Sequence, residues 1–337
     1  MILVTGGTGL LGTHVLAELT KREEKVRALK RKSSDLSHFK EVFDFYFGEE
    51  SQHFQQKIEW IDGDILDIVS LQDAVDGCTI VYHCAALVSF VRRDFRKLIK
   101  INKEGTANVV NVCLAQKIDH LCYVSSTAAI GRAEFKEVYD ETNKWQSSKH
   151  NSGYAVSKYL AENEVWRGVE EGLNAVIVNP SVILGPGNWN ESSLSIFKVV
   201  KKGLKFYTPG LNAFVDARDV AKCMHELSTK RNFNERFLTF SENVKYQILF
   251  EKIAKKFGVK APSILVRPWM AGLAWRIEGL LRFFFGRKQN ITKETAHSSM
   301  QTTKYSNQKL INRIGYKFYS IDESIDNAVN YFNQAKV

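Results

Sequence analysis

Cysteine is sparse in this chain and shows no pairing pattern. Cys78, Cys84, Cys113, Cys122 and Cys223 are odd in number and form no CxxC pair. A small disulfide-built scaffold is thereby excluded, and the thiols, mostly in apolar runs, read as reduced core groups of a cytosolic protein. No uninterrupted apolar run reaches the roughly 18 residues of a spanning helix. The first motif begins within five residues of Met1, so no signal peptide is expected. Internal repeats and low-complexity tracts are missing as well. The chain has 337 residues, 44% of them apolar and 25% charged, which is the composition of one large or two joined globular domains. Forty-seven Lys and Arg against 37 Asp and Glu leave a net charge of +10, suited to an anionic ligand. The basic residues are scattered and carry no nucleic-acid recognition motif, so no nucleic-acid partner is expected. No metal site is expected either.

Strand and helix signals alternate through the first half. Apolar runs at Ile2 to Val4, Val26 to Leu29, Ile58 to Ile61, Ile80 to Cys84, Leu121 to Ser125 and Ala175 to Asn179 read as buried strands. Helical periodicity falls at residues 10–22 and 94–117. This rhythm predicts an α/β fold: a Rossmann-type doubly wound parallel sheet with a smaller C-terminal substrate-binding portion. Residues 1–180 form the expected dinucleotide-binding unit, with 211–240 returning to it. Residues 181–210 and 241–337 form the substrate portion, because Pro and Gly break the rhythm after about residue 180.

Thr5-Gly6-Gly7-Thr8-Gly9-Leu10-Leu11-Gly12 joins the first strand to the first helix. Gly6, Gly9 and Gly12 suit a tight turn, close approach to a pyrophosphate and helix–strand packing, and the helix N-terminus offers free N–H groups. Thr5, Gly6, Gly9, Leu10, Leu11 and Gly12 are the candidate contacts. No acid stands at the end of the second strand to take ribose hydroxyls. Lys30 and Arg31 stand there instead, which favours NADP(H) over NAD(H), with Arg31 the first choice for the 2′-phosphate and Lys30 the second. Asp64 and Ile65 follow the third strand, where a carboxylate either accepts from adenine or caps a turn.

Tyr154 and Lys158 are four residues apart, on one face of a predicted helix. An ammonium beside a phenol lowers its pKa, so the pair suits proton transfer at a carbonyl or alcohol. Ser125 and Ser126 close the preceding strand and offer a hydroxyl to the same substrate oxygen.

With turn, Ser and Tyr/Lys in this order, the chain resembles an extended short-chain dehydrogenase/reductase over nearly its whole length. It is most similar to the dihydroflavonol-4-reductase-like branch. The segments TGGTGLLG, GDILD, HCAA, VSSTAAIG, YAVSK, NPSVILGPG and FVDARDVA carry the resemblance. It implies Ser126 and Tyr154 as catalytic pair, Lys158 as the group that lowers the Tyr pKa and holds the nicotinamide ribose, and Asn102 on the helix beneath. It places Ala85 and Ala86 after the fourth strand, and Pro180 and Val182 beside the nicotinamide. It makes a homodimer the expected assembly. The expected activity is NADP-dependent hydride transfer to or from a small substrate.

The alternative is a nucleotide-sugar epimerase or dehydratase with retained NAD, in which Trp189 and Lys201, Lys202 and Lys205 either hold base and diphosphate or are surface residues. Against it, Asn179 replaces the Arg that such enzymes often carry before this Pro. A cofactor-binding scaffold without activity is a third reading, disfavoured by the intact Tyr and Lys. Residues 269–286, WMAGLAWRIEGLLRFFFG, carry helical spacing with extra aromatics and flanking cations. A helix over the pocket or core is expected there, with membrane contact or a lid as the alternative.

Overall fold

The computed structural model describes residues 1–22, 25–131, 136–148, 151–267, 269, 270, 272 and 293–334. Strands β1 (Ile2–Thr5), β2 (Val26–Lys30), β3 (Ile58–Asp62), β4 (Ile80–His83) and β5 (His120–Val124) come first, then the two-residue β6 (Val138–Tyr139). They are followed by β7 (Ala175–Pro180), β8 (Val182–Leu184), β9 (Phe206–Tyr207), β10 (Leu211–Asp216), β11 (Glu235–Thr239), β12 (Glu242–Lys245), β13 (Ile264–Leu265) and β14 (Lys304–Tyr305).

Seven strands form one parallel sheet in the order β11-β7-β5-β4-β1-β2-β3. These are the apolar runs expected from sequence, with β11 added at the edge. Every residue of β1 and of β7 is buried, as strands covered on both faces must be. Successive side chains serve opposite cores. Ile2 and Val4 join the cluster beneath helices Leu10–Lys21 and Ala217–Thr229. Leu3 joins the one beneath helices Ile68–Val75, Gly105–Ala115 and Gly153–Glu170. The strand order reverses between β1 and β4, so a crevice opens at their carboxyl ends.

A second sheet, β12-β10-β8, stands beside the first. β8 runs parallel and β12 antiparallel to β10. A third core cluster, including Trp189, Phe197, Phe214 and Phe332, lies under it. The chain passes from first sheet to second at Ser181, between Pro180 and Val182. The periodicity at 94–117 is not one regular helix. It divides into Phe95–Leu98, a π-helical stretch Ile99–Glu104, and Gly105–Ala115. No helix among the described residues is long and apolar enough to cross a membrane. Apart from Trp269, Met270 and Gly272, segment 269–286 lies outside the described residues.

Candidate active site

The glycine-rich turn is set by crowding. Gly6 has φ +72°, and a Cβ there would stand 2.6 Å from the Ala85 backbone nitrogen. A Cβ on Gly12 would stand 2.1 Å from the Gly6 carbonyl oxygen. Gly12→Ala is therefore expected to cost about 1–3 kcal/mol or more, read as a lower urea midpoint, and to spread the turn. Behind it, the buried Thr5 hydroxyl pairs with His83 Nδ1 at 2.7 Å and accepts from the Ala85 N–H at 3.3 Å. His83 Nε2 meets Thr106 Oγ1 at 3.0 Å. Burial first, then Lys158, pushes the His83 imidazole down to about 3, so it is neutral and structural. Thr5 thus locks the two strand ends at the switch point and stands behind the crevice wall.

The crevice is a continuous cleft of about 3310 Å³. Gly6, Gly9, Leu10, Leu11 and Gly12 line it at the turn, with Lys30, Arg31, Asp64 and Ile65 along one side. Ala85, Ala86, Ser126, Tyr154, Lys158, Pro180 and Val182 line it further on. Of the residues proposed for catalysis and for NADP(H) binding, Thr5 and Asn102 stand behind this surface. Asn102 is buried on the π-helical stretch. Its amide accepts from the Leu87 N–H at 2.7 Å and donates to the Leu87 carbonyl at 3.0 Å and to Ser157 Oγ at 2.9 Å. It fixes the strand-end loop to the Tyr154 helix. π turns commonly carry such functional distortions.

The two basic candidates differ. The Lys30 ammonium is paired with Asp62 at the end of β3. The Arg31 guanidinium has no ion pair among the described residues and lines the cleft. Asp64 Oδ1 accepts from the Leu66 N–H at 2.9 Å, which makes it a turn former as well as a lining group.

Ser152 caps the helix Gly153–Glu170, accepting from the Ala155 N–H at 3.0 Å. Tyr154 and Lys158 follow one turn apart. The Ser126 hydroxyl accepts from the Ala128 N–H at 3.1 Å and lies close enough to the Tyr154 phenol to pull its pKa down. Burial raises that phenol above its ordinary value and outweighs the pull of Ser126. The expected lowering of Tyr154 is therefore not the balance here; desolvation wins. Lys158 is 2% exposed and donates to Tyr123 Oη at 2.9 Å and to the Val124 carbonyl at 2.7 Å. Burial pushes its ammonium down to about 7, against the upward pull of Glu162 and Cys84.

Sequence reading missed the polar hub below this pair. Glu162 is 2% exposed and accepts from Ser125 Oγ at 2.5 Å, Asn179 Nδ2 at 2.8 Å and Arg236 Nη1 at 3.0 Å. Asn179 also donates to the Ser126 carbonyl at 3.1 Å, so position 179 supports the Ser126 loop from beneath. The only sequence signal for Glu162 was its place one turn beyond Lys158. Trp189 is not free to stack on a base. It packs on Phe332 at 4.8 Å, and Lys201 lies over its ring. Lys201, Lys202 and Lys205 do not line the cleft.

A cleft of this architecture marks a nicotinamide-dependent oxidoreductase of the extended short-chain dehydrogenase/reductase type. The chain belongs to the NAD dependent epimerase/dehydratase family, whose model matches residues 2–238. It is 29% identical over 340 residues to a Synechocystis sp. protein provisionally named dihydroflavonol 4-reductase, covering 98% of this chain and 93% of that one. The crystal structure of gox2253 superposes with a TM-score of 0.82 at 28% identity, over 100% of this chain and 98% of that chain. The Bordetella bronchiseptica enzyme WbmH in complex with NAD+ gives a TM-score of 0.75 at 18% identity, over 100% and 99% of the two chains, a likeness of fold. The family's dinucleotide fits this cleft. The N-terminus of helix Leu10–Lys21 opens into it, and the buried Ser181 hydroxyl in its wall has no hydrogen-bond partner among the described residues.

Proposed function

We propose that this protein is an NADP(H)-dependent oxidoreductase moving hydride between nicotinamide and a carbonyl or alcohol carbon, with Tyr154 as general acid/base. The observation that carries this reading is that Ser126, Tyr154 and Lys158 line one cleft together with the glycine-rich turn and Arg31. When bound, the cofactor supplies or takes the hydride. Ser126 holds the substrate oxygen. Tyr154, kept protonated by its burial, gives its proton to that oxygen as the carbonyl carbon is reduced, and takes it back in the oxidation. Lys158 supplies the positive charge that stabilises the phenolate left behind. The helix N-terminus and the turn N–H groups would hold the pyrophosphate. Arg31 would hold the 2′-phosphate, whereas the Lys30 ammonium is committed to Asp62.

Titration of the purified protein with NADPH and NADH tests this. Tighter NADPH binding is expected, with Arg31→Ala weakening NADPH by about 10- to 100-fold through loss of a charged hydrogen bond and sparing NADH. NAD retained through purification, without preference for NADPH, would instead favour the epimerase or dehydratase chemistry.

A further inference from the structure

The cleft is larger than one ligand needs. Single small-molecule sites run to roughly 300–1,000 Å³, against about 3310 Å³ here. The part beyond Pro180 is the substrate end, and its chemistry is one-sided. Among the described residues from Ser181 onward, no Lys or Arg lines it. Its ionisable lining groups are Glu191, Tyr246, Glu294 and His297. A nucleoside diphosphate would meet carboxylates where it needs cations. Arg92 and Arg93, from the turn after β4, also line the cleft, and Arg92 lies beside Glu294.

Apolar side chains fill the same end and continue out of it. Val88, Phe90, Val199 and Phe206 line the cleft and are still 42%, 36%, 45% and 43% exposed, so they form its rim. Phe90 sits edge-on to the Tyr154 ring at 5.6 Å between centroids, which brings the apolar wall to the proposed proton donor. On the neighbouring strand, Ile264, paired with Phe206, and Leu265 are 44% and 45% exposed. Trp269, beside the lining residue Met270, is 66% exposed. Exposed apolar groups gathered at one cavity mouth mark a binding surface.

We infer that the substrate is a bulky apolar carbonyl or alcohol without a phosphate, its apolar body seated between the Val88–Phe90 edge and the Val199–Phe206 edge of the cleft. This rests on the hydride-transfer reading above. The substrate carbonyl lies at Tyr154, and the apolar body extends to the rim and leaves water there.

A series of methyl ketones from butan-2-one to decan-2-one, reduced with NADPH, tests the inference. Each added methylene is expected to raise kcat/KM by about three- to fourfold until the rim is reached, and millimolar UDP-glucose is expected not to inhibit. Phe206→Ser and, independently, Val199→Ser should flatten this dependence; both sites are exposed, so the fold tolerates them. A flat or falling series, or inhibition by micromolar UDP-glucose, overturns the inference. Calorimetric binding of the same ketones to the NADP+-loaded protein separates the two claims. Length-dependent binding without turnover keeps the apolar site and sinks the reductase reading. Turnover without length dependence does the reverse, and neither binding nor turnover sinks both.

Discussion

Tyr154→Phe is expected to lower kcat/KM by about 10²- to 10⁴-fold while NADPH affinity stays unchanged. The substitution removes one oxygen and leaves the ring against Phe90. What disappears is the proposed proton donor. The carbonyl oxygen that gains charge on hydride transfer then has only Ser126 to bond, with no acid at hand. Stopped-flow reduction alongside a fluorescence titration reads both quantities. A Phe variant with near-wild-type turnover would remove Tyr154 from the chemistry. Equal losses in cofactor affinity and turnover would make its role structural.

Glu162→Gln is expected to act on stability and on pH dependence together. The carboxylate is the common acceptor for Ser125, Asn179, Trp166 and Arg236. An amide there turns a donor toward other donors and leaves the mostly buried Arg236 without its countercharge. Losing one partner of such a pair costs about 3–5 kcal/mol, measurable by urea denaturation. The pH effect follows from Lys158. Its ammonium faces Tyr123, His83, Cys84 and Glu162, and of these Glu162 is the carboxylate. Burial holds Lys158 down to about 7, and Glu162 pulls it up. Removing Glu162 lowers it further, so the alkaline fall in kcat/KM is expected at lower pH in the variant. Loss of stability with an unmoved pH profile would make Glu162 a purely structural residue.

The same burial sets a sign for stability. The Lys158 value in the fold, about 7, lies below the ~10.4 of an unfolded lysine. Between those values the unfolded chain binds more protons, so this site stabilises the fold as pH rises through that window, and the gain is lost as pH falls back through about 7. Lys158→Met should abolish this gain and the activity. The ligand-free variant is expected to be more stable below about pH 7, because a buried charge that burial disfavours is replaced by an apolar group of similar length.

Much of the frame was legible before any coordinates. Ile2 to Val4, Ile80 to His83 and Ala175 to Asn179 are apolar on both faces, and such runs mark central parallel strands by themselves. The glycine spacing and the Tyr154–Lys158 spacing are local geometry, so the chain order alone exposes them. The two helices Ser37–Phe47 and Ser51–Gln56 between β2 and β3 were not marked by any motif. Their fixing contacts are tertiary, such as Phe39 edge-on to Trp60 at 5.0 Å. Trp189 and Lys201 looked available for a nucleotide because exposure is not written in residue type.

By itself, then, the sequence determined six strands of the sheet, the glycine-rich turn and the Tyr/Lys pair, because each depends on residues a few positions apart. Only the tertiary structure decided the rest. It paired Lys30 with Asp62 and left Arg31 open to the cleft. It joined Glu162 to Arg236 across 74 residues and raised the Tyr154 phenol by burial. It also gave the substrate end apolar walls without a described cation. Ion pairing, desolvation and cavity shape are set by distance in space, and the chain order does not fix those distances until the sheet has brought the segments together.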